Sequence, residues 1–525
     1  MASADYGRNA AAEAAMAAAC GPAGAAAGAE LRELDTMCHD RVGRRASLAG
    51  GPFCYAAQFG QPRGGGSAPH GIQKKTLENM RFAKSIPLVA VALVLSCWMT
   101  ACGSGSSTAA PAYVRVVNLD TVSSVTLDLN VTQYGVNAGP QSSSGYLQVT
   151  AGVYEGEVVS GNTLITSTPF PGLDLASNQY YSIISYPREG VLYPYQLVDN
   201  VGVPGAGLAQ LAVANAAPDA GRLDVYAFVH GSNATGDPCT SPSLPALPAF
   251  SSVQGQQTGA EQLPVTNGTS TLTYDLCVTG PSAPGDERFS ASSVPLASTG
   301  IYTLVLTSAA GGTLVNGALV VQNGGVTVLN NSSFRVRVLG AQGANPAALA
   351  TVGGVALPSV TSGIWTPYVT IPLSGQTQPT VSVTVGGNTV QLAVPQNFTF
   401  GPGQDYSIVV YGTTTPAAVL LVDDNHLKVN DASVRLVNAA DSMPMYFTIA
   451  GQSQLFTAVP LAGSSKYVSV SPISNAPVYV RSSDVTAATP GGATVLSNFS
   501  NGYVYTVLFY DLNQPPIVVT DKAGS

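Results

Sequence analysis

Charge is scarce in this 525-residue chain: Asp, Glu, Lys and Arg together make up 10% of it. No charged side chain at all lies between Arg337 and Asp405. Acids outnumber bases and no basic stripe appears, so the phosphate neutralisation on which nucleic-acid binding depends has no source here. No nucleic-acid partner is expected. Histidine is rare, 4 in all, and only His230 and His426 lie beyond the first hundred residues. They are far apart and sit in no zinc or nucleophile motif. No G-x-S-x-G elbow stands with a plausible His and acid, and the Gly-rich run from Gly202 to Gly207 opens no helix. The closest carboxylates, Asp286-Glu287 and Asp423-Asp424, are sequence neighbours, which in a strand would face opposite ways. These absences predict a protein that is not an enzyme. Its mainly apolar run, Ile86 to Met99, is too short to span a bilayer comfortably, which takes about 20 residues.

That run nevertheless sits in an ordered context. Met80 to Ser107 reads MRFAKSIPLVAVALVLSCWMTACGSGSS: a basic start with Arg81 and Lys84, an apolar centre, small residues, a cysteine and a Gly/Ser tail. This order is that of a secretory signal. Met99-Thr100-Ala101-Cys102 resembles the lipobox of bacterial lipoproteins, with Met99 where Leu is usual. The resemblance implies cleavage before Cys102 and a lipid on that cysteine. Cys97 after Ser96 is a second possibility without the polar tether, and an uncleaved membrane helix is a third. Residues 1–79 are rich in Ala, Gly and Arg without apolar periodicity. Either Met80 is the true initiator or these residues form an N-terminal extension. Gly103 after the cysteine, by resemblance to lipoprotein sorting rules, implies the outer membrane, facing periplasm or cell surface.

Of the 21 Lys+Arg, 10 precede Cys102, as do 7 of the 29 Asp+Glu, so the mature chain keeps 11 bases against 22 acids. Of the 7 cysteines, the mature chain keeps Cys102, Cys239 and Cys277. A lone pair in a secreted chain predicts a Cys239–Cys277 disulfide, with a two-cysteine metal site as the poorer alternative.

The mature sequence repeats. Tyr113-Val-Arg-Val-Val-Asn118, Gln210-Leu-Ala-Val-Ala-Asn215, Phe334-Arg-Val-Arg-Val-Leu339 and Ser433-Val-Arg-Leu-Val-Asn438 open four stretches of about 100 residues. Tyr181, Tyr302, Tyr406 and Tyr505 each begin a strand-like run near the end of a stretch. Between these landmarks, short β-branched runs alternate with Gly, Pro, Asn and Ser, and Val381–Val385 alternates at period two before a Gly-Gly-Asn turn. The pattern predicts an all-β chain of about four tandem β-sandwich units behind the signal (80–101) and a Gly/Ser tether (102–112). The units would cover 113–200, 209–331, 332–428 and 432–525, as a series of domains with limited shared interfaces.

Leu211-Ala-Val-Ala-Asn-Ala-Ala-Pro-Asp, followed by Leu223-Asp-Val-Tyr226, resembles a bacterial cell-envelope family of unknown function whose units begin VRVVNASPDAPAVDVYVDG. That resemblance implies immunoglobulin-like sandwiches, tandem repetition and a surface location, and transfers no catalytic residue. The third unit departs from it, with Gly340 where Asn is expected.

Three features are candidate sites. The repeated tyrosines suit a sandwich corner, with a buried ring and a bonded hydroxyl. Tyr180, Tyr186, Tyr193 and Tyr195 crowd the first terminal hairpin and could stack on a sugar or pack against the next unit. Asp423, Asp424, Asn425, Asn430 and Asp431 gather oxygens at the third joint; calcium, the one cofactor considered, needs 6 to 8 of them, and Asp and Asn are also common turn residues. Two readings of function follow: a non-catalytic, lipid-anchored envelope protein for adhesion or scaffolding, or an envelope lipoprotein that binds a glycan or other ligand. The expected partners are the membrane and an envelope protein or polysaccharide.

Overall fold

The computed structural model describes residues 110–523, except 131, 161–169, 200–201, 233–238, 240–243, 256, 344, 374–377, 395–397, 413, 441–443, 451–455, 482–492 and 512. The signal, the residues before it and Cys102 lie outside the described residues. Among the described residues the regular elements are strands, apart from a 3-10 turn at Pro218–Ala220. They build four β-sandwiches within one compact body.

Unit 1 shows the plan. Its first strand, Pro111–Asn118, runs parallel to Tyr180–Arg188, which turns back antiparallel as Val191–Val198. The other edge of the first strand carries Leu147–Thr150 and Ser142–Ser143. The opposing sheet is antiparallel, in the order Thr132–Ala138, Val125–Leu129, Gly152–Ser160, Phe170–Leu175. Val125–Leu129 alternates buried and half-buried residues, as a strand with one face on a core must. Leu127, Val158, Val114 and Ile183 meet between the two sheets.

The same parallel pairing recurs in every unit: Leu208–Asn215 with Ile301–Ser308, Ser333–Ala341 with Asp405–Tyr411, and Ala432–Asn438 with Val504–Phe509. Register repeats as well. Val114, Leu211, Val336 and Val434 stand opposite Tyr181, Tyr302, Tyr406 and Tyr505. Each of these tyrosines is buried and accepts a hydrogen bond on its hydroxyl from the backbone N–H five residues earlier, at 2.7–3.0 Å. The repeated tyrosine is a corner latch.

The repeated asparagine is a second latch. Asn118, Asn215 and Asn438 are buried, donate to carbonyls across the sandwich mouth, and accept from the N–H two residues on. Gly340 replaces it in unit 3 because the loop above leaves no room: a Cβ there would lie 2.1 Å from the Thr361 carbonyl oxygen. Gln342 takes over, donating to Val360 O at 3.0 Å.

The expectation of limited interfaces is overturned. Val117, Ile184, Tyr186 and Leu197 of unit 1 form one buried cluster with Ala214, Val305, Ala318 and Val320 of unit 2. Leu339, Val409 and Leu421 of unit 3 do the same with Val437, Leu508 and Val519 of unit 4. The sheet holding each first strand is thus covered on both faces, by its own core and by its neighbour's sheet. This is why those strands read as continuous apolar runs rather than alternating ones.

Candidate functional site

Several of the chain's few cations are placed inside it. Arg115, Arg337 and Arg435 occupy one register position, opposite Ser182, Ser407 and Thr506, and each is 1–2% exposed. In units 1, 3 and 4 the arginine Nε donates to that hydroxyl, at 2.7, 2.9 and 2.9 Å respectively. The hydroxyl donates in turn to an aspartate at or beside the end of the last strand, Asp199, Asp423 or Asp521. A tyrosine hydroxyl (Tyr146, Tyr368 or Tyr467) donates to the same aspartate, and its ring lies under the guanidinium at 4.6–4.9 Å. Burying a charge is tolerable only when it is paired and its hydrogen bonds are filled, and this set does both.

The outer nitrogens of the arginines cross between units. Arg337 of unit 3 reaches Asp521 of unit 4 at 2.6 Å, while Arg435 of unit 4 bonds Asp423 of unit 3. The exchange is reciprocal. Between units 1 and 2 it is one-sided: Arg115 donates to Val321 O at 2.9 Å and Gly324 O at 2.7 Å, and Ala212 stands at the matching place in unit 2. Burial works against the charge of Arg337, but Asp521, Tyr368 and Asp423 outweigh it and hold the guanidinium charged. Burial would likewise raise Asp423, yet Arg435 and Arg337 bring it below the usual carboxylate range.

A second cluster joins the pairs. Asp219 is fully buried and accepts from Arg188 of unit 1 at 2.8 and 2.7 Å, from Ser308 of unit 2 at 2.6 Å, and from the Leu427 N–H after unit 3 at 2.8 Å. Nearby, Arg335 pairs with Asp405, and Asn425 donates to Asp405 at 2.7 Å. The turn Gly311-Gly312 presses its backbone against this cluster. A Cβ on Gly311 would sit 2.6 Å from Asp405, and one on Gly312 would sit 2.6 Å from Asn425.

The candidate oxygen cluster at the third joint is not drawn together into a cage. Asp423 is spent on Arg435, Ser407 and Tyr368; Asn425 donates to Asp405; Asp424 binds His426. Asn430 takes a left-handed turn conformation, φ 70°, and Asp431 caps the start of unit 4, accepting the Gly502 N–H on its carbonyl. What forms at this place is a mouth of about 590 Å³, lined by Arg188, Glu189, Ser308, Asn316, Asp424 and His426.

The tyrosine platform is corrected too. Tyr186 is buried between units 1 and 2 and stacks on Tyr193 at 6.1 Å; Tyr193 and Tyr195 pack against the same cluster. Tyr180 is 36% exposed, lying flat on Tyr113 at 4.5 Å and edge-on to Tyr146. Tyr186 and Tyr195 do line a cleft of about 320 Å³ with Ala217, Pro218 and Gln254, and burial pushes both hydroxyls up to about 12. His230 bonds Asp275 at 2.8 Å, in unit 2 and away from His426.

Cys239 and Cys277 are joined in a disulfide, packed on Tyr226 and Phe228. The bond ties an insertion to the strand Thr273–Gly280 and should stabilise by about 4 kcal/mol on the chain-entropy estimate. Reduction should expose residues 231–249 to protease while the four sandwich cores stay protected, as limited proteolysis with mass mapping would read. Cleavage spread through all units would show that the bond holds more than the insertion.

Arg115, Arg188, Arg335, Arg337, Arg435 and Glu189 were not singled out by sequence reasoning. For Arg115, Arg335, Arg337 and Arg435 the one signal was an arginine in the middle of an apolar strand, as in Val-Arg-Val and Val-Arg-Leu; Arg188 and Glu189, at a hairpin tip, carried none.

Residues 112–226 match the model of a family described as a domain of unknown function (DUF4397). That stretch is unit 1 and the opening of unit 2. No curated protein matches. Among solved structures, the product complex of a multi-modular glycogen-degrading pneumococcal virulence factor is 9% identical over 54% of this chain and 37% of its own, with a TM-score of 0.15. A candidate cell adhesion protein from Bacteroides ovatus is 9% identical over 61% of this chain and 97% of its own, with a TM-score of 0.13. The chain therefore spans well under half the length of the first of these. Likenesses so loose define neither its fold nor its activity.

Proposed function

We propose that this is a non-catalytic cell-envelope protein, anchored by lipid on Cys102 and acting as a rigid adhesion or scaffold module. One observation supports this most. Arg115, Arg188, Arg337 and Arg435, with Asp219, Asp423 and Asp521, are buried in tying four sandwiches into one body, which leaves contact with partners to the loops that such a scaffold presents. Both described histidines are bonded to carboxylates, which suits structure. An acid or base at work needs a poised group in reach of a substrate.

Anchoring is tested by fractionation. Wild type should partition with membranes through its acyl chains, each buried CH₂ contributing about 0.8 kcal/mol. Cys102→Ser should appear in the soluble fraction or persist as an uncleaved precursor. A mature N-terminus found upstream of residue 80 would sink the anchor. In-cell crosslinking of wild type should then capture envelope partners through loop residues. Turnover of a glycan, ester or peptide that disappears on mutating a named acid would overturn the non-catalytic reading.

A second reading, ligand capture, draws on the cleft between Tyr186 and Tyr195. It expects selective polysaccharide binding that is lost in Tyr195→Ala.

A further inference from the structure

Glu189, Asp424 and His426 come from places far apart in the chain, and each offers a donor atom within 4.8 Å of the other two. We propose that they form a site for a divalent cation of the zinc class, which would clip unit 1 to the joint between units 3 and 4.

The geometry on each side is built. Glu189 stands at the tip of the hairpin between Tyr180–Arg188 and Val191–Val198. Glu189 and Gly190 both have positive φ, 51° and 76°, the backbone of a tight two-residue turn that aims the side chain outward from the strands. Asp424 and His426 are two apart in the stretch after Ala417–Asp423, so in extended chain they share a side. The joint is pinned at both ends. Asn425 is buried on Asp405, and the Leu427 N–H is held by Asp219.

His426 Nδ1 lies 2.6 Å from Asp424 Oδ1 and 3.8 Å from Glu189 Oε1. A Zn²⁺ with ligands at about 2.0–2.2 Å holds its donors roughly 3–3.5 Å apart, so small side-chain adjustments suffice. The cation takes the place of a proton between His426 Nδ1 and Asp424, and the neutral imidazole then carries its one N–H proton on Nε2. Lys428 Nζ now pairs with Glu189 and would be displaced from one oxygen. Arg188, the other nearby cation, is already committed to Asp219. The cavity of about 590 Å³ in front of the three leaves space for water as a fourth ligand.

The donor set selects the class. One imidazole and two carboxylates suit zinc and its first-row neighbours; calcium asks for 6 to 8 oxygens, and the two carboxylates of this cluster offer at most four.

The test uses the full chain, dialysed against chelator and then against ZnCl₂, with His426→Gln and Glu189→Gln alongside. Cys20, Cys38, Cys54 and His39 are common to all three, so differences report this site alone. Wild type should hold one more equivalent of zinc than either variant, with at least tenfold weaker binding in each variant. Its thermal midpoint should rise with Zn²⁺ and not with Ca²⁺ at equal concentration. Glu189→Gln, on a surface turn, keeps the test open if His426→Gln folds poorly. Equal zinc content and equal midpoints in wild type and Glu189→Gln would overturn the site. A calcium response matching that of zinc would overturn its class.

Discussion

Asp423→Ala should be among the most damaging single changes in the protein, lowering stability by about 3–5 kcal/mol. The aspartate is fully buried and serves two units at once: Ser407 and Tyr368 donate to it from unit 3, Arg435 from unit 4. Removing it leaves Arg435 charged and fully buried against one fewer acid, and frees the Tyr368 hydroxyl. The cost is mainly that of the orphaned arginine, not the net worth of the pair. The same logic sets a control. Arg435→Met combined with Asp423→Leu removes both charges with similar volume and should cost much less than Asp423→Ala alone. Chemical denaturation of the three proteins would read this. If the double variant proved as unstable as the single, the network would be contributing attraction beyond mutual neutralisation. A denaturation midpoint for Asp423→Ala equal to wild type would refute the lock altogether.

Stability should also climb as pH rises from about 7 to 10, the reverse of what buried ion pairs usually give. Lys522 lies on the last strand, and its Nζ donates to Gly312 O at 2.9 Å. Burial, with Arg335 and Arg288 close by, outweighs Asp219 and Asp405 and pushes it down to about 7. Unfolded, the lysine titrates near its ordinary value of about 10.4. Between those values the unfolded chain binds the extra proton, so the folded state gains as pH increases. The gain should be roughly 1–3 kcal/mol, less than full burial would give because the side chain keeps partial access to water. Above about pH 10 the sign reverses. Tyr186 and Tyr195, held up to about 12 by burial, then bind protons the unfolded chain has lost. Lys522→Met should flatten the rise below pH 10 and stabilise the protein at pH 7. Thermal melts across pH 6–11 would show it. An unchanged pH profile in the variant would remove Lys522 from the explanation.

Much of the fold was legible because local rules dictate it. The recurring strand openings and the tyrosines at 181, 302, 406 and 505 gave four units of matching plan, since identical register demands the same residue at each latch. The departure at Gly340 was visible as text but not as cause, because the Thr361 carbonyl that forbids a side chain belongs to a loop twenty residues on. The four tyrosines of the first terminal hairpin were ambiguous for a similar reason. Alternation puts Tyr180 and Tyr186 on one face of their strand but does not say that unit 2 covers Tyr186 while Tyr180 rests on Tyr113 and Tyr146.

What the sequence by itself determined is the β class, the tandem repeat, the cysteine pairing and the scarcity of charge, all of them consequences of composition and short-range pattern. Where that charge goes was decided only by the tertiary structure. Arg337 finds its acid 184 residues away and Arg188 finds Asp219 in the next unit. Glu189 meets His426 across more than two hundred residues. An arginine within an apolar strand is destabilising on its own terms. It becomes tolerable only when a neighbouring sheet brings the aspartate, the hydroxyl and the tyrosine ring that satisfy it, and no local pattern encodes that meeting.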